Sequence, residues 1–163
     1  MPAPFSIREG AEADLEDCTA LAHLAAPERK SDEWRESLRR DLESPGHLLV
    51  VAESGGAIVG YGRARLFEPA LDAPVDSPPR GHYLTGVFVV PEQRGRGIAK
   101  GLTRVRLEWI GERAAEAWYF ANARNTVSIE LHRRFGFEEV TRQFSFPHLA
   151  FAGGEGILFR LVL

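Results

Sequence analysis

Residues 87–101 read V-F-V-V-P-E-Q-R-G-R-G-I-A-K-G and carry the clearest structural signal in the sequence. An apolar, β-branched run that begins at Val87 ends at Pro91, two glycines follow at positions 95 and 97, and a helical pattern begins directly after them. The order is therefore strand, turn, helix. Glycines before a helix let an anionic group approach the first helical N–H groups, at the positive end of the helix dipole. The stretch predicts a phosphate-binding loop.

The spacing of the glycines excludes two common nucleotide-binding loops. A dinucleotide fingerprint requires G-x-G-x-x-G, but the third glycine here, Gly101, comes one position late. A Walker loop requires G-x-x-x-x-G-K-S/T, which the stretch does not contain. Positive charge nevertheless surrounds the loop and the first turns of its helix, and we expect this charge to attract an anion. The cations are Arg94, Arg96, Lys100, Arg104 and Arg106.

The loop resembles the acetyl-CoA loop of the GNAT N-acetyltransferase superfamily. The signature of that loop, Q/R-x-x-G-x-G/A, is matched by Arg94, Gly97 and Ala99. A second segment, at residues 122–137, reads N-A-R-N-T-V-S-I-E-L-H-R-R-F-G-F and is similar to the closing motif of the family, N-x-x-A/S-x-x-L-Y/H-x-x-x-G-F. The matching residues are Asn125, Ser128, Leu131, His132, Gly136 and Phe137. The resemblance covers about residues 50 to 140, and both motifs occur in the expected order.

The second motif also has the geometry of a helix. Asn125, Ser128 and His132 lie at i, i+3 and i+7, and so fall on one polar stripe. An adjacent apolar stripe is expected to pack against the protein and consists of Val127, Leu131 and Phe135. Asn125 is a candidate N-cap residue, a role that is an alternative or an addition to ligand contact. Gly136 is suited to end the helix in a left-handed conformation.

The resemblance implies a site for acetyl-CoA, used as a co-substrate. The amides of residues 95–100 would hold the diphosphate, and the backbone of Val87–Val89 would run beside the pantetheine arm and donate an N–H group to the thioester oxygen. We expect no metal ion. The complete set of expected cofactor-binding residues is Val87, Phe88, Val89, Arg94, Gly95, Arg96, Gly97, Ile98, Ala99, Lys100, Asn125, Ser128 and His132.

Two histidines are the candidate catalytic residues. The family usually places a tyrosine where this chain has His132, and that tyrosine is thought to protonate the coenzyme A sulfur; an imidazolium has the acidity for the same role. The alternative is a packed histidine that only lines the cofactor tunnel. His82, on the strand of the first motif, is the candidate general base, with a water chain to Glu68 or Glu155 as the alternative. Four aromatic residues are candidate walls of the acceptor pocket, or else core residues: Trp34, Phe144, Phe146 and Phe151.

Composition limits the class of protein and its partners. The chain has 163 residues, of which 44% are hydrophobic and 26% charged, which is typical of one globular domain spanning residues 1–163. A formal net charge of −3 argues against a nucleic-acid partner. No apolar run is long enough to span a membrane, and the single cysteine, Cys18, has apolar neighbours typical of a buried thiol. We expect a cytoplasmic protein; the sequence leaves the oligomeric state open, a homodimer included.

The remaining hydrophobic patterns predict the element order β-α-α-β-β-β-α-β-α-β-β. Ser31 is the candidate N-cap of the second helix, and a Pro-rich loop is expected between residues 67 and 81. The third helix is expected to end near Arg113, and the strand after the fourth helix near Phe146. This order is typical of the mixed, mostly antiparallel central sheet of GNAT proteins, flanked by helices: an α/β (α+β) fold.

The sequence therefore predicts an acetyl-CoA-dependent N-acetyltransferase that acts on a primary amine of a small molecule by direct attack in a ternary complex. Acidic residues in the Pro-rich loop favour a cationic acceptor such as an aminoglycoside, a polyamine or an amino-acid-like amine; they are Glu68, Asp72 and Asp76. The alternatives are a non-catalytic acyl-CoA sensor and an enzyme that acetylates protein N-termini or lysines.

Overall fold

The computed structural model describes residues 2–144, 151 and 155–163. In these residues seven strands and four α-helices follow one another as β-α-α-β-β-β-α-β-α-β-β, which confirms the predicted order. Their bounds are β1 Phe5–Glu9, α1 Leu15–Ala25, α2 Ser31–Glu43, β2 His47–Ser54, β3 Ala57–Phe67, β4 Gly81–Val89, α3 Ile98–Gly111, β5 Glu116–Asn122, α4 Thr126–Arg133, β6 Glu138–Thr141 and β7 Gly156–Val162.

The strands form one sheet in the order β1-β2-β3-β4-β5-β7-β6. The pairs β1–β2, β2–β3, β5–β7 and β6–β7 are antiparallel, whereas β4 and β5 are parallel from His82↔Ala117 to Leu84↔Tyr119. The predicted mixed, mostly antiparallel sheet flanked by helices is therefore confirmed. The chain divides into two compact units, Met1–Arg65 with Thr85–Trp109 and Leu66–Leu84 with Ile110–Leu163. The expectation of one domain stays a prediction.

The core of the first unit lies between α1, α2 and the β2–β3 hairpin. Both turn glycines of the hairpin have positive φ, 60° at Gly55 and 79° at Gly56, as a tight hairpin turn between twisted strands requires. Cys18 is fully buried, and burial raises the pKa of its thiol to about 12, so it is a packed thiol as expected. The apolar residues of this core include Leu15, Leu38, Leu49, Val51 and Tyr61.

The core of the second unit is aromatic. Tyr83 of β4 is fully buried, its ring stacks on Trp118 of β5 with centroids 6.1 Å apart, and its hydroxyl donates to the Pro79 carbonyl at 2.7 Å. Leu158 of β7 completes the buried set, and Phe67 packs against it at the end of β3. This core holds the start of β4, where His82 lies, against β5.

Several predicted boundaries are wrong by a few residues. Lys30, not Ser31, precedes α2, and Ser31 is already helical, because the chain enters the helix from an extended residue that makes no side-chain cap bond. Helix α3 ends at Gly111 rather than near Arg113, and β6 ends at Thr141; Phe146 lies outside the described residues. No helix in the described part of the chain is both long and apolar enough to cross a membrane.

Gly101 sets the distance between α3 and β1. A Cβ atom at this position would overlap Cδ1 of Ile7 and come within 3.8 Å of the Phe5 ring. The missing side chain therefore lets the helix lie directly on β1. The third glycine of the loop, which fails the dinucleotide spacing, has a packing role.

We predict that Gly101→Ala is about 1 kcal/mol less stable than Gly111→Ala, because the added Cβ atom forces Cδ1 of Ile7, the far end of a flexible side chain, out of its present rotamer. Gly111→Ala, in the last position of the same helix, is the matched control: a Cβ there lies 4.0 Å from Leu163, an ordinary contact. Urea unfolding of both variants measures the difference. Equal stability of the two variants would contradict the assigned role of Gly101.

Candidate active site

The loop between β4 and α3 has the backbone that the motif predicts. A short 3-10 turn at Pro91–Gln93 follows the strand, and φ is +75° at Gly95 and +83° at Gly97 before α3 begins. Residues with a Cβ atom adopt this left-handed region at a cost of about 1 to 2 kcal/mol each. Both glycines are therefore required by the conformation of the turn.

The amides of the loop lie at the open N-terminus of α3. The helical ladder begins with the bond from the Gly101 N–H to the Gly97 carbonyl, at 2.9 Å, so the amides of Ile98, Ala99 and Lys100 come before it. A Cβ atom built at Gly95 or at Gly97 would meet no atom within 4 Å. The surface in front of the loop is thus open, and its N–H donors and dipole fit a diphosphate.

The arginine side chains of the loop bind the protein itself. Arg94 donates from Nε to the Val89 carbonyl at 2.9 Å, and Arg96 donates to the Gln93 side chain and to the Ala3 carbonyl. They connect the loop to β4 and to the N-terminal segment. Arg94 is nevertheless exposed, as are Lys100 and, one helical turn further, Arg104, whereas Arg96 is partly buried.

The expectation that Arg106 adds charge to the loop surface is wrong. Its side chain is 1% exposed, because the guanidinium binds backbone carbonyls inside the first unit. Nη1 donates to the carbonyls of Arg63 and Gly86 at 3.0 Å each, and Nε donates to Leu102 at 3.1 Å. Arg106 thus links β3 and β4 from within and is a structural residue.

A groove of about 400 Å³ adjoins the loop on the side of β1. Its floor is apolar, and two cations of α3 line it one helical turn apart. The lining residues are Phe5, Ile7, Gly97, Lys100, Gly101, Arg104 and Val105.

The end of β4 that would face the pantetheine arm is held closely against β3. The Val90 N–H donates to the Val59 carbonyl at 2.9 Å, and a Cβ atom at Gly60 would lie 2.8 Å from the Phe88 carbonyl oxygen. Glycine at position 60 therefore permits a close backbone approach. Val87 and Phe88 are partly exposed, whereas Val89 is buried.

In the second unit, the structure brings Ser128 and His132 together at Tyr119, with Asn125 at the N-terminus of the same helix. The Asn125 side chain accepts a bond from the Ser128 N–H at 3.3 Å, so its predicted role as the N-cap of α4 is confirmed. The Ser128 hydroxyl is hydrogen-bonded to the Tyr119 hydroxyl. Gly136 has φ of +102°, as expected for the residue that ends this helix.

His132 is buried and packed. Its side chain is 1% exposed, and its ring stacks on Tyr119 with centroids 3.6 Å apart and meets the edge of Phe137 at 5.6 Å. Nδ1 donates to the Ser128 carbonyl at 2.7 Å, since a carbonyl can only accept. These contacts fix the orientation of the ring and make Nδ1 the protonated nitrogen of the neutral form.

The prediction of which face of α4 is buried is wrong in one respect. Val127, expected on the packed stripe, is 81% exposed, while Ile129 and His132 are the buried residues of the helix. The stripe that carries Ser128 and His132 therefore faces the interior, because the imidazole packs on Tyr119.

His82 is half-buried near the start of β4. Burial lowers its pKa from the usual value, and the charges of Arg113 and Arg80 lower it further, because each opposes a second positive charge nearby. The imidazole is therefore neutral at pH 7 and has the protonation state of a base. The alternative bases are both exposed and ion-paired, Glu68 with Arg80 at 3.0 Å and Glu155 with Arg142 at 3.1 Å.

The candidate walls of the acceptor pocket fall into both units. Trp34 belongs to the first unit, where the Arg29 guanidinium lies 4.3 Å from its ring centroid. Phe144 and Phe151 belong to the second and pack on each other and on Phe120, with centroids 5.7 to 6.3 Å apart. Phe146 lies outside the described residues.

A polar cluster inside the first unit was not predicted. Asp41 of α2, with a fully buried side chain, accepts bonds from Arg63 Nε at 2.5 Å and from Arg65 Nε at 2.7 Å. His47 Nδ1 donates to the same carboxylate at 3.1 Å, and Ser37 Oγ accepts from Nη2 of both arginines. The signal in the sequence is the pair of arginines at i and i+2 in the otherwise apolar strand β3.

We predict that the imidazole of His82 titrates below its usual pKa of 6.5, and that Arg113→Gln raises this pKa because one opposing charge is removed. NMR titration of the ring protons measures it, with Arg134→Gln, a residue paired with Glu130, as the control. Since the folded-state pKa is depressed, wild-type stability should fall as the pH drops below about 6.5, and His82→Gln should weaken this dependence. A His82 pKa above 6.5 would contradict the assignment.

Comparison with known proteins agrees with these features. A sequence model of the acetyltransferase (GNAT) family matches residues 13–137. N-alpha-acetyltransferase RimI of Mycobacterium tuberculosis is 31% identical over 140 residues, covering 84% of this chain and 80% of its own. Aminoglycoside N(6')-acetyltransferase type 1 of Salmonella enteritidis is 26% identical over 139 residues, covering 85% and 94%.

A solved structure of AAC(6')-Iy, in complex with the bisubstrate analog CoA-S-monomethyl-acetylneamine, has the same fold. Its TM-score is 0.76 at 23% identity, covering 91% of this chain and 100% of that one. The described residues hold no group of three or more His, Cys, Asp or Glu side chains arranged for a metal ion. With its glycine loop, its sheet and the match over residues 13–137, the chain belongs to the acetyltransferase (GNAT) family.

Proposed function

We propose that the protein is an acetyl-CoA-dependent N-acetyltransferase that acts on a primary amine of a small molecule. The observation that carries this proposal is the loop at Gly95 and Gly97, whose positive φ values place open N–H donors at the N-terminus of α3. The family match and the N-acetyltransferase relatives support acetyl transfer to an amine.

Two parts of the coenzyme, the diphosphate and the pantetheine arm, have proposed partners in the chain. The amides of residues 95–100 hold the diphosphate, with the exposed Lys100 adding charge. The backbone of Val87–Val89 runs beside the pantetheine arm. Arg94 and Arg96 act on the diphosphate mainly through the loop that they hold in place, since their side chains bind Val89, Gln93 and Ala3.

The reaction is a direct transfer within a ternary complex. The amine nitrogen attacks the acetyl carbon of acetyl-CoA, the new C–N bond forms, and the C–S bond breaks as the thiolate leaves. One proton leaves the amine and one is taken up by the sulfur. Holding the two reactants together supplies much of the acceleration, and an N–H group of the Val87–Val89 segment stabilises the charge on the carbonyl oxygen.

His82 and His132 are the proposed proton carriers. The lowered pKa of His82 favours the neutral form, which accepts the amine proton directly or through water. Nδ1 of His132 donates to the Ser128 carbonyl, so Nε2 is the nitrogen that would carry a proton to the sulfur. Its burial and its stacking on Tyr119 equally support a packing role beside the coenzyme.

A small-molecule acceptor is favoured by a cavity of about 220 Å³ in the second unit. Asp76, Trp118 and Phe144 line it, so its wall combines an acidic residue with aromatic surface, a lining that suits a cationic amine. Glu68 adds less negative charge for an acceptor than expected, because it forms an ion pair with Arg80. The second candidate is a protein N-terminus, supported by the 31% identity to N-alpha-acetyltransferase RimI. A non-catalytic acyl-CoA sensor remains the third hypothesis.

We predict that acetyl-CoA, but not NAD or ATP, raises the thermal midpoint, and that Gly97→Ala abolishes most of this shift because its methyl group enters the space of the diphosphate. Gly56→Ala is the matched control, since Gly56 has φ of +79° against +83° at Gly97 and equally open space around its Cβ position. Both variants should lose about 1 to 2 kcal/mol of stability. A shift of equal size in the two variants, or a larger response to NAD, would reject the cofactor assignment.

We predict that an amine panel assayed for thiol release detects turnover, which separates an enzyme from a sensor. His132→Phe should lower kcat by about a hundredfold or more, with little change in the Kd for acetyl-CoA, if His132 protonates the sulfur. Tyr119→Phe keeps the stacking and removes only the hydroxyl next to Ser128, and so controls for packing. Comparable losses in kcat and in affinity for His132→Phe would assign the residue to packing.

A further inference from the structure

We propose that the acceptor amine carries a carboxylate, and that Arg63 and Arg65 bind it. This inference rests on the proposed acetyl transfer, names the class of its acceptor, and places that acceptor against the first unit instead of in the cavity of the second unit. It is carried by the cluster of Asp41, Ser37, His47 and the two arginines in the first unit.

The cluster holds one more positive than negative charge. Arg63 and Arg65 share a single carboxylate, that of Asp41, whose side chain is fully buried. His47 adds no further positive charge, because burial and the charge of Arg65 lower its pKa and keep the ring neutral at pH 7. The buried Arg63 is paired with Asp41, so the excess positive charge lies on Arg65, whose side chain is partly exposed. One monoanion would balance the cluster, and a carboxylate has that charge.

The two guanidinium groups also have donors to offer. Nε of each arginine donates to Asp41, and Nη2 of each donates to Ser37. Within the part of the chain that the structure describes, Nη1 of neither arginine donates to a protein acceptor. The Arg63 side chain is 8% exposed and that of Arg65 is 30% exposed, so an arriving carboxylate can reach Arg65 without unfolding the cluster.

The cluster lies next to the strand segment proposed for the thioester. A Cβ atom at Gly86 would lie 3.6 Å from Arg63 Cδ, and Gly86 directly precedes the Val87–Val89 segment. Trp34 covers the same region, with its ring centroid 5.8 Å from the Arg63 guanidinium. An acceptor whose carboxylate meets the arginines can therefore direct an amine towards β4.

A purely structural role would explain fewer of these features. A single arginine with His47 and Ser37 would satisfy the buried Asp41. The second arginine instead places two like charges side by side, and the pKa of Arg65 is lowered by burial and, after it, by the charge of Arg63. Fixed guanidinium groups that already share one carboxylate are a preorganised site for another.

The test compares pairs of acceptors that differ only in charge, each an ω-amino acid and its carboxamide. Chain lengths of about two to five methylene groups cover the span from Gly86 along β4, given a strand rise of about 3.3 Å per residue. In the wild-type protein with acetyl-CoA, we expect kcat/KM to be about tenfold or more higher for the carboxylate than for the carboxamide at the best chain length.

Arg65→Gln should reduce this ratio to near one, and Arg65→Lys should give an intermediate value because it keeps the charge but loses the fork of donors. Arg40→Gln is the matched control. Arg40 lies on α2 and pairs with Glu36 at 3.5 Å. Its positive charge contributes to the lowered pKa of Arg65, after burial and the charge of Arg63, but it does not bind Asp41 or Ser37. The control variant should keep the wild-type ratio, and unfolding measurements identify any variant that fails to fold.

The inference is overturned if the wild-type protein uses both members of each pair equally, or if Arg65→Gln keeps the preference; amine acetylation itself would then still stand. If no amine is acetylated, the proposed function fails, and binding decides the inference. N-acetylated ω-amino acids should then raise the thermal midpoint of the wild-type protein, in the presence of coenzyme A, more than their carboxamides do. Equal shifts for the two would overturn it.

Discussion

The turn from β4 into α3 depends on one backbone constraint, the positive φ at Gly95 and Gly97. These two residues reverse the chain within a few positions and leave the amides at the start of α3 facing open space. Gly101 completes the arrangement, because the absence of a side chain there lets the helix lie on Ile7 without moving the end of the Ile7 side chain. The direction of α3, and with it the placement of the helix dipole behind the loop, follows from these three glycines.

Much of the fold could be predicted because its signals are local. Hydrophobic periodicity, and breaks such as the Pro-rich loop between residues 67 and 81, are set by neighbours in the chain, and the element order predicted from them agrees with the structure. Helix ends such as Gly111 depend on backbone hydrogen bonds that no short pattern encodes. The predicted N-cap role of Ser31 is wrong because a serine before an apolar stripe suits either the cap or the first helical position, and the sequence alone does not distinguish the two.

Only the parts of the site that belong to the two sequence motifs could be predicted. The spacing of residues predicts the loop glycines and the cap at Asn125, whereas the partner of each charged side chain depends on the tertiary structure. Arg106 belongs to the same basic stretch as Lys100, yet one binds buried carbonyls and the other is exposed. The cluster around Asp41 joins α2 to β3 across more than twenty positions, so no local pattern could reveal it.

The central claim is that the amides around Gly97 bind the diphosphate of acetyl-CoA. A crystal structure of the protein with acetyl-CoA tests it most directly. The account expects the diphosphate oxygens to lie within hydrogen-bonding distance of the N–H groups of residues 95–100, with the thioester beside Val87–Val89. A diphosphate bound anywhere else on the chain would contradict the account.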